Sequence, residues 1–273
     1  MRKLQERLIQ LLEAVAGSCK PASVADLIGV TGFPKASVYR NIASLIECGF
    51  VEETDDGNRY VLGIRFTKIA LTGEADARVI NAVSAMMQKT VKELSETAFL
   101  ARYRGGRVDM IQIETPSDPI ASYIYPGMGV RPAHACSSAK VIAAFIHPEL
   151  RDALLDTTPL QFTSRTLIDP VLIGRELKQV QRNGYAICDG EIDEGVTSIA
   201  VPINVDRLGA IFSIGIVGPS HRIKNIIQDR ILPVLRTEAI RAAAAIQHCS
   251  VIEAETTNTT VFEMANTETP TLQ

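Results

Sequence analysis

Apolar positions in the first third of the chain recur at helical spacing. Leu4, Leu8, Leu11, Leu12 and Val15 form one stripe on a helix over 4–16. Gly17 and the SCKPAS stretch end it. Ser23 caps a second helix whose buried side is Val24, Leu27 and Ile28. A tight turn with two glycines is expected over 29–33, and Pro34 then sits at a helix start, where its missing N–H costs nothing. The third helix runs to about Cys48 and stops at Gly49. Its apolar face is Val38, Ile42, Leu45 and Ile46. The opposite side presents Ala36, Ser37, Arg40, Ala43 and Ser44, with Lys35 on the first turn and Tyr39 at the edge. Two β-prone runs then flank Asp-Asp-Gly-Asn, a hairpin signal. Residues 1–63 therefore read as helix, helix, turn, helix, hairpin.

Beyond this, 64–76 reads as a connecting helix or linker. A helix over about 77–95 carries Val79, Ile80, Val83, Met86, Met87 and Leu94. The remainder of a second domain, 77–249, alternates strands and helices. FLARYRGGRVDMIQIET predicts a hairpin with a Gly-Gly turn, and IASYIY a further strand. Helices are expected at 137–146, 149–156 and 170–183, the last ending at Gly184. YAICDGEI predicts a strand or extended loop. TSIAVPINV and LGAIFSIGIVG predict two apolar strands joined by Asp206-Arg207. A last helix over 223–247 is interrupted or bent at Pro233. Strands with flanking helices make an α+β or mixed α/β unit. Residues 250–273, Thr-rich and acidic, read as a disordered tail.

Composition narrows the function. The chain has 273 residues, 46% hydrophobic and 22% charged, as expected of a soluble globular protein. The formal net charge of −3 does not advertise nucleic acid, so any DNA contact must come from a local patch. Residues 1–75 hold nine Lys or Arg and nine Asp or Glu, but the acids crowd into 47–56, and 27–46 carry only Lys35 and Arg40 as charges. Counterion release per subunit should be modest, so specific binding calls for a dimer or higher oligomer on repeated half-sites. No signal peptide or membrane span is visible. The five cysteines are scattered without C-x-x-C spacing, which points to a reducing cytoplasm and away from a disulfide framework or zinc ribbon. Neither a phosphate-binding loop, an H-E-x-x-H site nor a G-x-S-x-G elbow is present, and no cofactor or metal is expected.

The third helix carries the DNA chemistry. Its small residues allow close approach to the major groove, and Arg40 reaches a base edge or a phosphate. Lys35, Ser37 and the first-turn N–H groups suit a phosphate. Arg59, after the hairpin turn, is placed for the adjacent minor groove or backbone, although Asp55 and Asp56 oppose deep insertion. The competing reading is a three-helix bundle with a solvated third helix, or a winged helix that contacts protein.

These residues resemble a known family. LLEAVA, followed by SVADLIGVTGFPKASVYRNIASLIECGFVEETDDGNRYVLG, is similar to the N-terminal domain of the IclR family. RPAHACSSAKVIAAF, FTSRTLIDP, GYAICDGEIDEGVTSIAVPI and SIGIVGP resemble the family's C-terminal segments, so the likeness covers about residues 4–247. It implies a winged helix-turn-helix DNA reader joined to a GAF-like α/β effector-binding domain. It also implies a homodimer or tetramer, and effectors that are small organic acids or aromatic catabolites.

Carried over position by position, the resemblance puts the effector against His134, Ala135, Cys136 and Ser137, where backbone N–H groups at a helix start receive a carboxylate. It adds Cys188 and Asp189, Ser198, and Gly215 and Val217. The sequence departs from the family pattern at Ala139, which replaces a glycine, and at Cys188, which replaces a frequent acid. Gly215 and Val217 stand where some members carry hydroxyls. A less polar pocket follows, for an effector with an apolar or aromatic body. Each residue also has a plainer role: a structural histidine, small buried thiols, a solvated carboxylate. An enzyme built on His134 with Cys136, and Asp189 completing a nucleophile-base-orienter set, is the alternative from another class.

Overall fold

The computed structural model describes residues 2–55, 57–66, 69, 75–117, 123–205 and 209–247. The chain divides into two compact units, Met1–Gly73 and Glu74–Gln273.

The first unit contains α1 (Arg2–Ala16), β1 (Ala22–Ser23), α2 (Val24–Thr31), α3 (Lys35–Glu47), β2 (Val51–Glu53) and β3 (Arg59–Leu62). Leu11, Val15, Leu27, Val38, Ile42, Leu45, Val51 and Tyr60 form its core. Ser23 starts α2 with a reciprocal capping box, its hydroxyl accepting from the Asp26 N–H while the Asp26 carboxylate accepts from the Ser23 N–H at 2.8 Å. The expected turn over 29–33 is shorter than the sequence suggested. Gly29 lies inside α2, and only Gly32, in the left-handed region at φ 66°, breaks the helix, its N–H donating to the Ile28 carbonyl.

Two expected core positions are solvent-facing: Leu4 is 52% and Ile46 36% exposed, whereas Asn41 is 2% exposed. At about 100° per residue, Asn41 and Ile46 flank the Val38–Ile42–Leu45 stripe on opposite shoulders. The rest of the unit covers the Asn41 shoulder. The hairpin forms as expected, with Gly57 and Asn58 at positive φ in its turn; Asp56 lies outside the described residues. β3 also pairs with β1, giving the order β1-β3-β2. Two residues are too few for β1 to show a period. Residues 64–66 are helical, and most of the expected 64–76 connector lies outside the described residues.

The second unit is built on a six-stranded antiparallel sheet. Its strands are β4 (Thr97–Arg104), β5 (Arg107–Glu114), β6 (Gly129–Arg131), β7 (Ala186–Asp189), β8 (Val196–Val205) and β9 (Gly209–Pro219), in the order β6-β5-β4-β9-β8-β7. The helix α4 (Asp76–Leu94) packs on β4 and β5, and α5 (Ser137–Phe145) packs mainly on β7, β8 and β9. Helices on both faces explain why β4 is buried along nearly its whole length. Arg102, 1% exposed, pairs with Asp76 at the start of α4 and lies over the Phe212 ring at 5.4 Å. Two further helices, α6 (Pro148–Leu155) and α7 (Pro170–Asn183), follow α5 in the chain. Asp169 caps α7, with Pro170 in its first turn and Gly184 beyond its end.

The structure corrects two expectations here. Residues 123–125 of the IASYIY run form no strand, and 120–122 lie outside the described residues. Pro126 interrupts the run, and pairing with β5 resumes only at β6, after Gly127. The last helix is broken before Pro233, not at it. A 3₁₀ turn (Lys224–Ile226) and a π turn (Ile227–Ile231) precede a regular helix at 232–247. Pro233 falls in the first turn of that helix, where no N–H is needed. Asp206-Arg207 and the expected tail lie outside the described residues. Among the described residues, no helix is long and apolar enough to cross a membrane.

Candidate DNA interface and ligand cavity

In the first unit, α3 turns Lys35, Ala36, Tyr39, Arg40 and Ser44 to solvent, with Ser37 half-buried. Lys35 lies 5.9 Å from the centre of the Tyr39 ring, so the two form one cationic-aromatic edge. The Ser44 hydroxyl donates to the Arg40 carbonyl at 3.2 Å and keeps its acceptor lone pairs. The first-turn N–H of Ser37 donates to the Pro34 carbonyl at 2.8 Å, so the free donors of that turn precede it. Arg59 stands apart from this set. It opens β3, and its guanidinium donates to the Pro21 carbonyl at 3.0 Å, which ties the hairpin to the chain ahead of β1.

In the second unit, Cys188 on β7 pairs with Ser198 on β8, and Ser198 pairs with Val217 on β9. With a period of two, all three face the same side of the sheet. They line a cavity of about 90 Å³ together with Cys136, which caps α5. The rest of the wall was not read from the sequence: it includes Phe99 and Met110 from β4 and β5, Tyr125, Arg131, Ile192 and Asp193. Alternation along β4 and β5 is a signal for the first two. For Arg131 the signal is that it is the one charged residue between Asp118 and Lys140.

The other carried-over positions do not touch the cavity. Ala135 is fully buried, and its N–H and that of Cys136 both donate to the Pro132 carbonyl, at 3.3 and 3.0 Å. The chain turns at 132–136 before α5 begins, so these two N–H groups are engaged within the turn. The Ser137 hydroxyl shares a 2.7 Å hydrogen bond with Ser198 and holds it from behind. Gly215 is a platform. A Cβ there would meet the Ile199 carbonyl oxygen at 2.2 Å and the Phe99 ring at 2.4 Å. His134 bonds the Leu160 carbonyl at 2.8 Å, stacks on Phe162 at 5.9 Å, and borders a separate apolar cavity of about 160 Å³. Asp189 points to the other side of β7, where it pairs with Lys224 at 2.7 Å and Arg165 at 3.0 Å. Burial works to raise its carboxyl, but Lys224 and Thr197 outweigh that and hold it below the usual range.

His134, Cys136 and Asp189 thus each have different partners, Cys136 bonding the Ser138 hydroxyl at 3.1 Å. Burial, reinforced by Cys136 and Glu191, pushes the Cys188 thiol up to about 12, so it stays protonated and unreactive at neutral pH. Behind it, the fully buried Lys140 ammonium bridges Glu176 and Glu191, each at 2.6 Å. Burial works to lower the Lys140 value, but the two carboxylates outweigh it and hold the ammonium charged. The FTSRTLIDP segment latches onto the same turn. Thr163 and Thr166 donate to the Gly190 and Glu191 carbonyls at 2.7 and 2.6 Å.

A DNA-reading helix in one unit and a side-chain-lined cavity in another make this a transcriptional regulator with a ligand-binding domain. Comparison with known proteins agrees across both units. The chain belongs to the IclR family: residues 75–246 match the model described as the bacterial transcriptional regulator IclR C-terminal domain, and 6–55 match the IclR helix-turn-helix domain. It is 29% identical to the HTH-type transcriptional regulator KipR of Bacillus subtilis, over 82% of this chain and 88% of that protein. A crystal structure of an IclR-type regulator from a Silicibacter species is 26% identical, with a TM-score of 0.57, covering 89% of this chain and 95% of that one. An IclR homologue from Microbacterium hydrocarbonoxydans, solved with 4-hydroxybenzoate, shares the fold at 23% identity and a TM-score of 0.53, covering 90% and 99%.

Proposed function

We propose that the cavity between Cys136, Cys188, Ser198 and Val217 is the effector site, and that its occupancy shifts the operator affinity of the α3 helices in a dimer or tetramer. The carrying observation is convergence. Four side chains from four separate segments meet the Phe99 ring in one cavity whose wall is mostly apolar. An apolar wall suits an organic acid with an aliphatic or aromatic body, in keeping with the aromatic acid bound by the Microbacterium homologue. At about 90 Å³ the space is well below the ~300–1,000 Å³ of ordinary ligand pockets. The effector is therefore small, or Tyr125 and its neighbours give way to admit it.

On this reading the protein works in the cytoplasm as a sensor, not an enzyme. Lys35, Ala36, Ser37, Tyr39, Arg40 and Ser44 face the operator, and Arg59 braces the hairpin. An effector changes DNA affinity only by its differential affinity for the two arrangements of the oligomer. Footprinting the promoters of the neighbouring genes, with and without their pathway substrates, tests this. Protection that responds to one substrate in the wild type, and to none in Val217→Phe, is expected; unaltered occupancy with every substrate overturns the sensor reading. Arg40→Ala should weaken operator binding by about 1–3 kcal/mol and relax base preference.

A further inference from the structure

We infer that Arg131 is the carboxylate anchor of this cavity, and so selects singly charged organic acids over their neutral analogues. The inference rests on the cavity being the effector site. Arg131 closes β6, where alternation turns Val130 outward, at 59% exposed, and puts Gly129 and Arg131 on the other face. Their partners on β5 are Met110 and the fully buried Val108, and both Met110 and Arg131 line the cavity.

The guanidinium is held but not neutralised. One Nη donates to the Gly127 carbonyl at 2.7 Å, while Nε is buried and without an acceptor. Among the described residues no carboxylate stands within ion-pair distance of it, although the cavity's Asp193 is nearby in the wall and exposed. Several other buried or half-buried cations of this unit have one: Arg102 has Asp76, Lys140 has two glutamates, Arg222 has Glu96; Arg151, like Arg131, has only a carbonyl, but it does not line the cavity. An unneutralised guanidinium beside an apolar cavity favours an anion, and a carboxylate matches its fork with two parallel hydrogen bonds. The N–H groups at 135–136 are engaged with Pro132, and Arg131 is the one cation among the residues that line the cavity.

The test is calorimetric titration of the full-length protein with benzoate and isobutyrate, each beside its amide. In the wild type, acid should bind about tenfold or more tighter than amide, the usual scale for a charge-assisted pair. Arg131→Met should bring that ratio close to one, and Arg131→Lys should recover part of it. Val217→Phe should abolish binding of acids and amides alike. If Val217→Phe is inert in titration, the cavity is not the binding site and the underlying reading fails. If Val217→Phe blocks binding but Arg131→Met keeps the full acid preference, the cavity stands and the anchor is overturned. Failure of both acids to bind the wild type also overturns it.

Discussion

Gly215 is defined by what it lacks. The Phe99 ring lies where a methyl group would stand, and the Ile199 carbonyl crowds the same point. Gly215→Ala must push a backbone oxygen or tilt the ring, a cost of about 1–3 kcal/mol for overpacking a core. Urea unfolding should show the loss, and a midpoint unchanged from wild type would place Phe99 elsewhere. Thiol chemistry gives a second check. Cys19 and Cys48 are exposed, while Cys136 and Cys188 are buried. With the Cys188 thiol pushed up to about 12, only about one molecule in ten thousand carries its thiolate at pH 8. Iodoacetamide at pH 8 should therefore label Cys19 and Cys48 and spare Cys188 until the protein unfolds. Prompt labelling of Cys188, read by peptide mass mapping, would contradict its burial.

At the level of elements, α2 depends on its cap. Ser23→Ala removes the hydroxyl that accepts from Asp26 and should lower stability by about 1 kcal/mol. Its bonds to Ser23 hold the Asp26 carboxyl below the ordinary 3.8. That contribution is present above the ordinary value and fades as pH falls through the lower folded one. An acid titration of wild type against Asp26→Asn should converge at the acid end. The elements also show what a sequence discloses. α7 was legible to the residue, because Asp169, Pro170 and Gly184 punctuate it chemically. β1 and the Asn41 shoulder of α3 were not, because a two-residue strand has no period and a helix face is chosen by its neighbours. For the cavity, Cys136, Cys188, Ser198 and Val217 were legible by resemblance. Tyr125, Arg131 and Ile192 come from loops and an edge strand whose meeting only the fold decides.

For the whole molecule, the modest positive charge of the DNA-reading face sets how binding responds to salt. α3 offers two cations, Lys35 and Arg40, and Arg59 is engaged with Pro21. At about −0.9 per neutralised phosphate, each winged helix should contribute a slope near −2 in log K against log salt. Lys35→Ala should reduce it by about one per unit. A far steeper wild-type slope would mean that another surface carries the DNA.

Behind the ligand cavity, one ammonium is shared by two carboxylates. Lys140 cannot cancel both Glu176 and Glu191, and Asp193 adds another negative group to the cavity wall. The neighbourhood therefore acts as a valence filter. With Arg131 as the proposed anchor, a monoanion has its match, while the second charge of a dianion lies near Asp193 and the carboxylates that share Lys140. Malonate and phthalate should accordingly bind more weakly than isobutyrate and benzoate. Glu191→Gln, which keeps the shape and drops a charge, should narrow that gap.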